Sequence, residues 1–87
     1  MTAYLSLGRI EMPAAYVLFN VDAGCEEQVL KEAKAIGKVE EAYVSYGVYD
    51  LVMKVKADSM DELKELVTHC LRGINGVRST LTLILTE

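Results

Sequence analysis

Between Ala14 and Thr86 the apolar residues change spacing in one order: alternation, helical stripe, alternation, alternation, helical stripe, alternation. Alternation places successive side chains on opposite faces of a strand. Recurrence at three and four residues places them on one face of a helix. Few small folds accept that order.

The first alternating run spans residues 14–22 behind Pro13, with Val17, Phe19 and Val21 on one face and Tyr16, Leu18 and Asn20 on the other. A helix is predicted over residues 25–36, striped by Val29, Leu30, Ala33 and Ile36, with Glu26 and Glu27 in the first turn and Gly37 as its stop. Its acids are expected to pair locally with Lys31 and Lys34. Strands follow over residues 39–46 and 50–57, joined through Gly47 as a hairpin. In the second of these, Leu51, Met53, Val55 and Ala57 oppose Val52, Lys54 and Lys56.

Ser59 with Glu62 forms a capping box for a helix over residues 60–72, striped by Leu63, Leu66, Val67, Cys70 and Leu71. The last strand, residues 77–86, groups Leu81, Leu83 and Leu85 against Thr80, Thr82 and Ile84. The expected architecture is α+β and ferredoxin-like, βαββαβ: a four-stranded antiparallel sheet with both helices on one face. With 87 residues and 52% hydrophobic content, one domain over residues 14–87 is expected, after an N-terminal extension over residues 1–13.

Two helices cover one sheet face. The other is expected to carry Tyr16, Leu18, Val52 and Ile84 beside Asn20, Thr80, Thr82, Lys54 and Lys56. Such a surface suits a second copy stacked sheet to sheet.

The net charge is −4, and the basic residues are scattered among acids, as at Lys31, Lys34 and Lys38. That argues against direct nucleic-acid binding. No apolar run reaches the roughly 18 residues of a membrane span, and no secretory leader is read at the start. Cys25 and Cys70 are far apart and His69 is the only histidine, so metal and disulfide frameworks are both poorly supported. No nucleophile–base pair and no cofactor motif emerges. A cytoplasmic, non-enzymatic protein is expected. His69 is read as a surface residue, Cys70 as packing and Cys25 as a small residue at a helix start.

The segment Tyr46-Gly47-Val48-Tyr49-Asp50-Leu51-Val52 stands apart, because it sets a carboxylate beside an apolar strand. Such a charge needs backbone N–H groups or a ligand to hold it. From the residues alone, both readings stay open.

Three segments together carry a resemblance. They are Val39 to Val44 followed by Tyr46 to Val52, then Ser59 to Leu63, then Ile74 to Thr82. In this order the chain resembles the effector-binding domain of the leucine-responsive/AsnC (feast/famine) regulators, also called the regulation of amino acid metabolism domain. Full regulators carry an N-terminal helix-turn-helix, which residues 1–13 do not resemble.

The resemblance implies dimers that assemble into octamers or decamers and bind amino acids or related small molecules between dimers. It implies a ligand site at Gly47, Val48 (backbone), Tyr49, Asp50, Thr80 and Thr82. Gly47 would offer N–H donors to a carboxylate, and Asp50 would take an ammonium. A full-length regulator of the same family is the implied partner. The alternatives are a small enzyme on the same architecture and a purely structural oligomerisation module.

Overall fold

The computed structural model describes residues 13–85. Strand β1 is Ala14–Val21, helix α1 Glu26–Ala35, strand β2 Val39–Val44 and strand β3 Leu51–Lys56. Helix α2 starts as Met60–Glu65 and continues as a wider π-helical segment, Leu66–Leu71, before strand β4, Val77–Leu85. The strands form one antiparallel sheet in the order β2-β3-β1-β4. This is the expected ferredoxin-like arrangement. Residues 1–12 of the expected extension lie outside the described residues.

The core follows from the alternation in β1 and β3. Val17, Phe19, Leu51, Met53 and Val55 are fully buried against Val29, Ala33, Leu63 and Leu71 of the helices. No polar or charged side chain is buried among the described residues, so the interior stands on apolar packing.

Helix α2 opens as its capping residues predict. Ser59 Oγ accepts the Glu62 N–H at 3.1 Å. The return arm differs from the usual box: Glu62 Oε1 accepts the N–H of Asp58 at 2.6 Å, one residue before the cap. On α1, Glu32 takes a hydrogen bond from Gln28 at 3.1 Å. The expected pairing of its acids with Lys31 and Lys34 is not among the ion pairs of the described residues.

Two expectations need correction. Cys70 was expected in the buried stripe of α2, and it is exposed. Over Leu66–Leu71 the bonding widens to five residues, as in Arg72 N–H to Val67 O at 3.2 Å. A wider turn shifts the phase of the stripe, so Leu63, Val67, Leu71 and Ile74 face inward and Cys70 turns out.

The second correction concerns β4. The residues group as expected, but on the opposite faces. The register pairs Phe19 with Thr80, Val17 with Thr82 and Ala15 with Ile84. Cross-strand partners share a face, so Thr80, Thr82 and Ile84 lie on the helix side. Leu18 pairs with Leu81 and Tyr16 with Leu83. The open face therefore carries Tyr16, Leu18, Val52, Leu81 and Leu83, and it is more apolar than the sequence suggested. Leu81 is 44% exposed and Leu83 49%. The same face carries the two expected lysines of β3: Lys54 is paired with Tyr16 and lies 6.0 Å from its ring centre, and Lys56 reaches Glu40 at 3.1 Å.

Candidate functional site

The β2–β3 connection is longer than a tight hairpin. It runs from Ser45 to Asp50 between strands that end at Val44 and begin at Leu51. Its base is closed by one backbone bond, Ser45 N–H to Asp50 O at 2.8 Å, and its end is tied to β1 by Asp50 N–H to Phe19 O, also 2.8 Å. Within the loop, the N–H groups of residues 46–49 make no backbone bond among the described residues. Gly47 has φ +150°, where L side chains are strained, so the loop's shape depends on glycine there.

Asp50 is anchored by its side chain as well. Val21 lies beyond the last β1–β3 pair, Phe19 with Leu51. Its N–H donates to Asp50 Oδ2 at 2.9 Å, so the carboxylate closes the ladder where β3 has not yet begun. The same region of β1 carries a bulge against β4, between Asn20 and Val21. A charge-assisted bond to backbone N–H is one of the stronger kinds. It answers the question the sequence left open about what holds this carboxylate, and the second carboxylate oxygen makes no hydrogen bond among the described residues.

Asp50 also lines an open pocket of about 370 Å³ with Glu26, Val44, Ser45 and Tyr46. Glu26 comes from the first turn of α1 and was read from the sequence only as a helix-dipole acid. Nothing in the residue pattern pointed to it, because only the packing of α1 across β2 brings it to the hairpin. Tyr46 and Val48 are almost fully exposed, at 96% and 82%, so the loop presents apolar surface outward. Tyr49 and Asp50 are half-buried.

The six site residues do not meet in one place within the protomer. Gly47, Val48, Tyr49 and Asp50 share the hairpin. Thr80 lies on β4, two strands away from the hairpin's own β3. Thr82 lines a different groove, of about 190 Å³, with Leu63, Lys64, Val67, Thr68 and Ile84. No group of metal-binding side chains exists among the described residues, and none of their helices is long and apolar enough to cross a membrane.

Residues 14–87 match the family described as the Lrp/AsnC ligand binding domain. An uncharacterised HTH-type transcriptional regulator of Pyrococcus abyssi is 33% identical over 73 residues, 80% of this chain and 49% of that protein. A counterpart in Pyrococcus furiosus is 32% identical over the same share. The chain thus spans about half the length of these relatives. Among solved structures, FFRP-DM1 superposes with a TM-score of 0.83 at 36% identity, over 86% of this chain and 100% of that one. A regulator from Neisseria meningitidis in complex with L-Met shares the fold, with a TM-score of 0.79 at 11% identity, over 100% of this chain and 57% of that one.

Proposed function

We propose that this chain, which belongs to the Lrp/AsnC ligand-binding domain family, is a non-enzymatic, oligomeric sensor of amino acids or related small metabolites. Its relatives are transcriptional regulators, and a distant structural neighbour is a regulator in complex with an amino acid. The observation that carries the reading is the hairpin. There, the N–H groups of residues 46–49, which make no backbone bond among the described residues, stand beside a carboxylate anchored through one oxygen. An amino acid presents the complement, a carboxylate and an ammonium one carbon apart. N–H groups in a turn cradle the first, and Asp50 takes the second.

The open sheet face supports a homodimer, stacked through Leu18, Val52, Leu81 and Leu83. Dimers would then join into octamers or decamers that bring a neighbour's surface, including its β4 threonines, toward the exposed Tyr46 and Val48. In this reading the extension over residues 1–13 stands outside the sensing domain over residues 14–87. The protein works in the cytoplasm and modulates full-length regulators of its family by sharing this assembly.

Thermal-shift measurement against the twenty amino acids tests the reading. A ligand at a hundred times its Kd stabilises the folded state by about 2.7 kcal/mol. At least one amino acid is expected to raise Tm, with the shift reduced in Asp50→Asn. No shift with any of them, in a protein shown to be multimeric, would favour a structural oligomerisation module.

A further inference from the structure

We infer that the outer edge of β4 is a contact between copies of this chain, pairing antiparallel with the β4 of a second copy about a two-fold axis. This contact is separate from the stacked sheet face and independent of the effector reading.

The two outer strands of the sheet, β2 and β4, each pair on one side only among the described residues. An unpaired edge presents a row of free N–H and C=O groups, and soluble proteins blunt such edges with charges, bulges or short strands. β2 is blunted in these ways. It has six residues, carries Glu40 and Glu41, and shifts register between Val39 and Glu41. β4 has nine residues and no charge from Ser79 to Leu85. The irregularity in its pairing with β1 falls at the start of that run, between Val77 and Ser79.

Apolar surface also wraps around this edge. Leu81, Leu83 and Leu85 on the open face, and Ile84 on the helix side, are 38–49% exposed. A partner lying on the open face alone leaves Ile84 bare. A strand beside β4 covers both sides, and its helix-side residues meet the groove of about 190 Å³ between α2 and β4.

The pattern of β4 complements itself. Antiparallel pairing centred on Leu83 sets Leu81 against Leu85 and Thr82 against Ile84, so each face continues into its like. It also sets the basic end of the run, at Arg78, toward the acidic end, which the sequence places at Glu87. Parallel pairing sets like charges together. The β2 of a second copy would bring Glu40 and Glu41 against an apolar strand. A two-fold contact of β4 with itself avoids both.

Amide hydrogen exchange read by NMR tests this. In the ladder with β1, alternate β4 residues turn their N–H groups toward β1 and the others turn outward. Both sets from Ser79 to Leu85 are expected to be protected at high concentration, and dilution should release the outward set alone. Lysine on a strand edge opposes pairing. Ile84→Lys is therefore expected to abolish the outward protection at every concentration, with the inward set and the circular dichroism unchanged. Val52→Lys, on the open face two strands away, is expected to leave it in place. Free exchange of the outward set in the wild type at every concentration overturns the inference. So does protection that persists in the monomer, which would assign the edge to this chain's own residues, and so does protection that survives Ile84→Lys. Loss of protection in Val52→Lys would make the edge part of the stacked face and overturn a separate contact.

Discussion

Asp50 is the residue on which most depends, because it holds two positions at once. Its side chain ends the β1–β3 ladder by accepting Val21 N–H, and it lines the hairpin pocket. Alanine and asparagine separate the two. Asp50→Ala strands a part-buried donor and is expected to cost about 1–2 kcal/mol in urea unfolding. Asp50→Asn keeps an acceptor oxygen and is expected to recover most of that loss while still weakening an ammonium-bearing ligand. Equal stability of the two variants would remove the structural assignment. Tyr43 offers a second residue-level test. Its hydroxyl donates to Glu41 Oε1 at 3.1 Å, and this bond, with the charge of Glu41, raises the phenol above its ordinary value near 10. A raised acid favours its neutral form. The bond's small stabilising effect is therefore present below the ordinary value and lost as pH climbs through the raised one. Absorbance titration at alkaline pH, wild type minus Tyr43→Phe, should show ionisation above the usual tyrosine range, and Glu41→Gln should bring it back down.

At the scale of elements, α2 shows how a sequence stripe can mislead. Leu63, Leu66, Val67, Cys70 and Leu71 fit an ideal α-helix, and nothing in their identities announces a wider turn. The π-helical segment rotates Cys70 out while keeping Leu66, Val67 and Leu71 in. Cys70 should therefore react with a thiol reagent in the native protein at the rate of an exposed cysteine. Cys25, which packs partly against the core, should react more slowly. Protection of Cys70 until unfolding would contradict the segment's phase. The turn before β4 shows a constraint of the other kind. Gly76 has φ +102°, and a Cβ there would meet Cys25 Cβ at 3.0 Å. Its glycine serves close packing as well as backbone shape.

For the whole molecule, the open sheet face decides most. Its leucines on β4 are half-exposed and sit beside Tyr16, Leu18 and Val52 on the central strands, a contiguous apolar surface of the kind that marks an interface. Leu83→Lys leaves the protomer's buried core untouched. It should change protomer stability within about 0.5 kcal/mol, the usual range for surface substitutions. Sedimentation velocity should nevertheless show it dissociating an assembly that the wild type forms. A wild type that is monomeric at micromolar concentration would remove the stacked-sheet reading.

The order of elements was determined by sequence alone, because side-chain period is a local property: alternation in Tyr16 to Val21, a stripe from Val29 to Ile36, a cap at Ser59. The unusual carboxylate at Asp50 was legible for the same reason. The side of β4 was not. Alternation groups Thr80 with Thr82 and Leu81 with Leu83, but pairing with β1 chooses which group meets the helices, and that register is a contact across about sixty residues of chain. Glu26 reaches the hairpin pocket only because α1 packs across the sheet. What holds Asp50 also had to await the structure, since Val21 N–H becomes its partner only when two strands of unequal reach lie side by side.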